Sequence, residues 1–134
     1  GQAYVISVFQ QIFSRKHLQI AQVLLTKDNL SFNNKRDALN KLLQTYIKIG
    51  VVPVINENDV VDLNSFGGND FLAADISILL NVKRLLILST MAGSVYGVGG
   101  GEAKQQTLER LSKTNIQANI VDGKSQNIIL QSIL

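Results

Sequence analysis

The sequence predicts an α/β protein in which a mostly parallel sheet lies between two layers of helices. Short apolar runs, such as those at 51–55 and 85–88, alternate along the 134 residues with segments whose apolar residues recur at helical spacing. Alternation of this kind is typical of parallel sheets whose crossover helices cover both faces. We therefore expect a three-layer sandwich.

The first half of the chain is predicted to contain two helices and two strands. The helix that precedes Gly50 is expected to end there, because glycine readily adopts the left-handed conformation that follows a helix. Pro53 has no amide proton, so we place it where its strand is irregular or paired on one side only. The predicted elements are a helix at 1–13, a strand at 18–25, a helix around 39–47 and a strand at 51–55.

The second half continues the same alternation. Ile116, Ala118 and Ile120 place apolar side chains at every second position, which is typical of a strand. Helical spacing returns on either side of it. The predicted elements are a helix at 71–80, a strand at 85–88, a helix at 102–113, a strand at 116–121 and a helix at 126–134.

Composition excludes several classes of protein. Hydrophobic residues make up 46% and charged residues 17%, which is ordinary for a globular domain. The absence of cysteine excludes disulfide bridges and thiolate zinc sites. The net charge of +3 is modest and its lysines and arginines are scattered, so we expect no nucleic-acid partner. No apolar stretch is long enough to span a bilayer, and the first residues lack the basic region of a secretory signal. We expect a cytoplasmic enzyme with no membrane partner.

The densest group of polar residues follows the strand at 51–55. Asn56, Glu57, Asn58 and Asp59 come directly after it, and the carboxyl ends of strands are where open α/β sheets bind ligands. Asparagine and aspartate are also common turn formers. Glu57 has the least defined role and is interpreted as support for the loop. The number of polar residues at one strand end favours a binding site.

A second polar group precedes the helix at 71–80. Gly67 and Gly68 permit close approach of the backbone to a ligand. Asn69 and Asp70 lie near the expected positive end of the helix dipole. Asp70 is also a typical N-cap or first-turn residue. Together the two groups predict a site for a small polar ligand beside an anion.

A glycine-rich segment opens the helix predicted at 102–113. It reads GVGGGEAK and ends at Lys104. Glycine amides at a helix start, followed by a lysine, supply the positive charge that phosphoryl transfer requires. The spacing differs from G-x-x-x-x-G-K-[ST], which excludes the P-loop class. Taken alone, the segment is equally a flexible loop followed by a solvated lysine.

These motifs resemble those of the amino acid kinase family and, within it, the glutamate 5-kinases. VPVINENDVV at 52–61 is similar to the family's INEND element, and GGNDFLAAD at 67–75 is similar to its GDND before a leucine- and alanine-rich helix. LLILST at 85–90 and GVGGGEAK at 97–104 are similar to a strand and the nucleotide loop of the family. The resemblance covers nearly the whole chain in the right order.

The resemblance implies a transferase that uses ATP and Mg²⁺ to phosphorylate the γ-carboxylate of L-glutamate, the first step of proline biosynthesis. It also implies a homo-oligomer. A carboxylate is already a nucleophile at neutral pH, so this reaction needs no general base. We expect no metal ligands from the protein, because Mg²⁺ would be held largely by the nucleotide and by water.

The resemblance also implies roles for individual residues. Asp70 and Lys104 would be catalytic, with Asp70 orienting the lysines at the phosphate through charge-assisted hydrogen bonds. The residues implied to bind the substrate are Asn56, Asp59 and Asn69, with Asp59 as acceptor for the α-ammonium group. The residues implied to bind the nucleotide are Ser89, Thr90, Gly97, Val98, Gly99, Gly100, Gly101 and Lys104.

Three residues depart from the family pattern. Thr90 and Gly68 replace acids, and Gly101 replaces a methionine. Two alternatives therefore stay open: a different member of the amino acid kinase family, and a degenerate domain that binds a ligand without catalysis. His17, the single histidine, is interpreted as a solvated loop residue because no partner for it is apparent.

Two further departures concern length. The family begins with a strand that carries a lysine and a glycine-serine turn, and it has a sizeable segment between the positions of Tyr96 and Gly97. We therefore expect an incomplete domain that lacks its N-terminal strands. Residues 1–96 are expected to carry mostly the substrate site, and residues 97–134 the nucleotide site.

Overall fold

The computed structural model describes residues 1–59, 65–90 and 101–134. These residues fold as two compact units, Gly1–Phe66 and Gly67–Leu134. This division is based on contacts within the chain. The predicted division into 1–96 and 97–134 separates a substrate site from a nucleotide site, and it stays a prediction.

The first unit contains a two-stranded parallel sheet with helices before and between its strands. The strands pair in register along their whole length, from Gln19 opposite Val51 to Leu25 opposite Glu57. Parallel strands need a crossover connection, which is helical here. The elements in order are α1 (Gln2–Ser14), β1 (Gln19–Leu25), α2 (Asp28–Ser31), α3 (Asn33–Lys48) and β2 (Val51–Glu57).

The core of the first unit follows the two periodicities of its sequence. Val23 and Leu25, two residues apart on β1, are buried, whereas Leu24 between them is exposed, because successive side chains of a strand point to opposite faces. Leu39 and Leu43 lie one turn apart on α3 and are also buried. Helix α3 and the sheet therefore share one apolar layer.

The conformational prediction for Gly50 is confirmed. Gly50 follows the end of α3 with a φ of +78°, the left-handed conformation that glycine adopts at low cost. Pro53 lies within β2 opposite Ala21, and in the described sheet β2 pairs with β1 on one side. His17 is exposed in the turn after α1, which confirms its interpretation as a loop residue.

The second unit repeats the same plan. Strands β3 and β4 are parallel and in register from Arg84 opposite Gln117 to Ser89 opposite Asp122. Its buried core cluster contains Ala74, Leu111 and Ile116. The elements in order are α4 (Asn69–Leu80), β3 (Arg84–Ser89), α5 (Gly101–Leu111), β4 (Gln117–Asp122) and α6 (Ile128–Ile133).

The predicted α/β class with parallel strands is confirmed, and the strands described form two small sheets. Element boundaries differ at several ends: β2 extends to Glu57, α4 begins at Asn69, and α6 is shorter than predicted. The four-residue helix α2 has too few residues to produce a periodic pattern. In the part of the chain that the structure describes, no helix is long and apolar enough to cross a membrane.

Candidate active site

The polar residues at the end of β2 lie where the sequence predicted them. Asn56 is half-buried near the end of the strand, and its Oδ1 accepts a hydrogen bond from the Glu57 amide at 2.9 Å. Asp59 is exposed in the turn that follows. The structure therefore places a carboxylate at the surface next to the carboxyl end of a parallel strand, a position that suits a cationic ligand group.

The neighbouring strand end contributes further polar groups. After β1, Asn29 Oδ1 accepts hydrogen bonds from both the amide and the hydroxyl of Thr26, at 2.7 and 3.1 Å. The Asn58 amide donates to the Leu25 carbonyl at 2.8 Å. The start of α1 contacts the end of β2, because Gln2 Nε2 donates to the Glu57 carbonyl at 3.3 Å. The carboxyl ends of β1 and β2 therefore carry several polar groups that are held by hydrogen bonds.

Glu57 contacts two described residues that precede α4. Its side chain is buried, with 7% of the residue exposed, and its carboxylate accepts hydrogen bonds from the Phe66 amide at 2.8 Å and the Ser65 hydroxyl at 3.4 Å. A buried carboxylate requires such bonds to offset the loss of hydration. These contacts agree with the interpretation of Glu57 as support for the loop.

The two glycines before α4 have conformations that other residues rarely adopt. Gly67 and Gly68 have φ values of +85° and +128°, and with a ψ of 165° Gly68 lies in a region that is essentially restricted to glycine. A Cβ on Gly67 would come within 3.3 Å of the Phe71 ring. A side chain at position 68 would be strained in this backbone.

Asp70 and Lys104 are in direct contact. Lys104 Nζ lies 2.8 Å from Asp70 Oδ2, and the two side chains are 21% and 23% exposed. Asp70 is a first-turn acid of α4, whose N-cap is Gly68, and Lys104 lies in the first turns of α5. Two residues predicted to be catalytic are therefore joined by a charge-assisted hydrogen bond.

The predicted nucleotide residues are only partly described. Ser89 ends β3 and is buried, whereas Thr90 is exposed. The Ser89 carbonyl accepts a hydrogen bond from the Gly123 amide at 2.9 Å. Gly101 is the first residue of α5. The remaining loop residues, Gly97, Val98, Gly99 and Gly100, and the Tyr96–Gly97 junction lie outside the described residues.

Comparison with known proteins places these residues in a family. The sequence model of the amino acid kinase family matches residues 1–130. The chain belongs to the amino acid kinase family. This confirms the resemblance inferred from the motifs, and the matched region contains every predicted site residue.

Several curated relatives of this amino acid kinase chain are named glutamate 5-kinase. One from Aquifex aeolicus (strain VF5) is 34% identical over 163 residues, which cover 96% of this chain and 44% of that protein. One from Thioalkalivibrio sulfidiphilus (strain HL-EbGR7) is 44% identical over 97 residues, covering 69% of the chain and 25% of the relative. "Glutamate 5-kinase 2" from Bacillus subtilis (strain 168) is 30% identical and is covered to 35% of its length.

The chain spans less than half of the length of these relatives. The alignment with the Aquifex aeolicus protein is longer than the 134 residues of this chain. That relative therefore has residues within the aligned region that have no counterpart here.

Sequence reasoning missed an acid at the carboxyl end of β4 in this amino acid kinase chain. Asp122 ends β4 opposite Ser89. Hydrogen bonds from the Lys124 amide and the Ser125 hydroxyl, each at 2.9 Å, hold the pKa of the Asp122 carboxyl below its usual value. The available signal was its position directly after a predicted strand, as with Asn56.

Sequence reasoning also missed the ion pair between Asp75 on α4 and Arg110 on α5. Both residues occupy partly exposed positions on predicted helices, and no local pattern links them. Within residues 1–59, 65–90 and 101–134, no group of three histidine, cysteine, aspartate or glutamate side chains is arranged to hold a metal ion.

Proposed function

We propose that this chain is the part of a glutamate 5-kinase that carries out ATP-dependent phosphorylation of the γ-carboxylate of L-glutamate, giving glutamyl 5-phosphate for proline biosynthesis. The observation that carries the proposal is the ion pair between Asp70 and Lys104. It provides a cation held in place at the start of a helix, in a chain whose curated relatives are named glutamate 5-kinase.

The chemistry needs positioning and positive charge more than it needs a base. An oxygen of the γ-carboxylate attacks the γ-phosphorus of ATP, the bond to the β–γ bridging oxygen breaks, and ADP leaves with that electron pair. The attacking carboxylate is ionised at neutral pH. Charge spreads over the transferred phosphoryl oxygens in the transition state, and Lys104 is the residue we assign to stabilise it.

Asp70 supports that assignment through its contact with Lys104. A lysine has a flexible stem and three donors, so a carboxylate at 2.8 Å holds the ammonium in place while leaving donors for a phosphate oxygen. Preorganised charge of this type is worth more than charge that must reorganise during the reaction. Asp70 is thus assigned as the organising residue.

We assign L-glutamate to polar residues at the carboxyl end of β2 and at the start of α4. Asp59 is exposed and ionic, so it suits the α-ammonium group of an amino acid. Asn56 and Asn69 carry amides that suit its remaining polar groups. This assignment rests on the chemistry of these side chains and on the family resemblance. Asn56 and Asp59 belong to the first unit and Asn69 to the second.

We assign ATP to the start of α5. Gly101 opens an eleven-residue helix, the first amides of a helix are donors that favour an anion, and Lys104 adds a cation one turn later. Mg²⁺, when bound with the nucleotide, supplies further charge neutralisation at the phosphates. Its ligands would be mainly phosphate and water oxygens.

The test is an assay of ADP release that depends on L-glutamate, combined with trapping of the acyl phosphate by hydroxylamine. Lys104→Ala should lower kcat by about 10²- to 10³-fold, the cost typical of losing one donor to a transition-state oxyanion, with little change in the KM for glutamate. Lys113→Ala, an exposed lysine just beyond α5, serves as the matched control.

Equal turnover by Lys104→Ala and the parent protein would remove Lys104 from the mechanism. Binding of ATP and glutamate by calorimetry without any acyl phosphate would favour the ligand-binding alternative over the kinase.

A further inference from the structure

Helices α4 and α5 are joined by ion pairs at two points. Asp70 contacts Lys104 at one point and Asp75 contacts Arg110 at the other. The acids are five residues apart on α4 and the bases six residues apart on α5. At 1.5 Å per residue, the two contacts are therefore separated by about 8–9 Å along the helices. Since residue numbers rise together on both helices, the helices run in the same direction.

The packed faces of these helices are mostly apolar. Ala74 on α4 and Leu111 on α5 are completely buried in one core cluster. Thr107, one turn before Leu111, is also completely buried, and its hydroxyl has no hydrogen-bond partner in the described structure. Apolar burial resists separation of the helices, but it is non-directional. The polar contacts between α4 and α5 add a directional constraint to this packing.

One of these polar contacts gains a further partner in the proposed reaction. Lys104 contacts Asp70 in the structure, yet its charge is required at the phosphate. Lys104 then shares its donors between Asp70 and a phosphate oxygen, so a second contact that stays the same helps to fix the position of α5. Arg110 takes no part in that exchange, and its planar guanidinium fixes geometry better than a lysine ammonium does.

We propose that Asp75 and Arg110 form a register pair, which holds α5 against α4 while Lys104 engages the phosphate. Both are positioning residues, because they act through Lys104 and do not touch the substrate. This inference rests on the proposed function of Lys104. It explains why the helix that carries the catalytic cation has a second ion pair about one and a half turns away on the same partner helix.

The alternative is an ordinary surface ion pair with a purely structural role. Arg110 is 47% exposed and Asp75 is 25% exposed, and exposed pairs of this kind contribute little to stability. A structural role therefore predicts a small change in Tm and no change in kcat. A register role predicts a loss of kcat, since a displacement of about 1 Å from a remote change can cost up to 10²-fold.

The kinetic test uses Arg110→Gln, Asp75→Asn and the charge-swapped double variant Asp75→Arg/Arg110→Asp. Each single variant should lower kcat about tenfold, change the KM for ATP less than threefold and remain folded at the assay temperature by circular dichroism. The double variant restores opposite charges and should recover most of the lost kcat. Arg36→Gln on the exposed side of α3 controls for loss of one positive charge.

A kcat within twofold of the parent for Arg110→Gln would overturn the proposal. A loss of kcat that the charge-swapped variant fails to recover would overturn it as well, because the effect would then not depend on the pair.

A second test needs no kinase activity, so it separates this inference from the proposed function. Unfolding equilibrium constants are measured in urea for Lys104→Ala, for Arg110→Gln and for the variant that combines these two substitutions. Sites this far apart are usually additive, whereas two contacts that fix one helix register should be coupled by about threefold or more. Additivity within twofold would overturn the register pair, and coupling in a protein that lacks turnover would support the register while the kinase assignment fails.

Discussion

The two units hold their polar residues in different ways. In the first unit, the described groups at the end of β2 are fixed by hydrogen bonds between side chains and backbone, as in Glu57 with the Phe66 amide and Asn56 with the Glu57 amide. In the second unit, Asp70 and Asp75 each hold a cation of α5. In our proposal, the exposed carboxylate of Asp59 in the first unit binds a ligand cation, and Lys104 in the second unit binds a ligand anion.

This difference suits the two halves of the proposed reaction. An amino acid brings its own ammonium group, so the protein need present only an acceptor. A transferred phosphoryl group brings negative charge that grows and spreads in the transition state, so its cation must be positioned beforehand. We therefore expect changes in the second unit to affect kcat, and changes at the end of β2 to affect KM or stability.

The largest effect is expected for Asp70→Asn. It removes the charge that holds Lys104 but keeps a side-chain oxygen, so kcat should fall by about 10²-fold or more. The helix-dipole contribution that is lost is only about 0.3–1 kcal/mol, so Tm should shift by a few degrees at most. Asp28→Asn, another first-turn acid on α2, is the control. Near-parental kcat for Asp70→Asn would return Asp70 to a purely structural role in α4.

Asp59→Ala should raise the KM for glutamate while leaving kcat nearly unchanged. The ammonium would lose a charged hydrogen bond worth about 1.5–3 kcal/mol, which corresponds to roughly ten- to hundredfold. Asp37→Ala, an exposed acid on α3, tests for general loss of negative charge. If steady-state kinetics show the same KM for Asp59→Ala and the parent, the ammonium group binds elsewhere.

Glu57→Ala should act on stability more than on catalysis. It leaves the buried Phe66 amide without its acceptor, which costs about 1–3 kcal/mol of unfolding free energy. Glu57→Gln retains a carbonyl oxygen for that amide and should lose less. Urea denaturation measures both values, and equal stability of Glu57→Ala and the parent would show that the carboxylate does not hold the connection.

Thr107→Val should have the smallest effect and the opposite sign. The Thr107 hydroxyl is buried without a partner in the described structure, so its replacement by a methyl group should be neutral or stabilising by up to about 1 kcal/mol. Thr114→Val provides the contrast, because the Thr114 hydroxyl bonds the Leu111 carbonyl and the Ile116 amide. Destabilisation of Thr107→Val by as much as Thr114→Val would indicate an unseen partner for Thr107.

Most elements of the fold could be predicted from local pattern. The stripe that places Leu39 and Leu43 one turn apart and the alternation in β4 have periods of a few residues, which a sequence displays directly. Boundaries were less accurate because polar residues can continue an element. Asn56 and Glu57 extend β2, since their backbone groups pair with β1 whatever their side chains are.

The sequence by itself determined the family, the element types and the residues at the strand and helix ends, because motifs and periodicities are local. Only the tertiary structure decided which charges meet. Asp70 and Lys104 are 34 residues apart. The sequence alone leaves thirteen lysines and arginines as possible partners of Asp70. Their contact, and that of Asp75 with Arg110, exists because α4 and α5 run side by side in the same direction with Ala74 and Leu111 buried in one core.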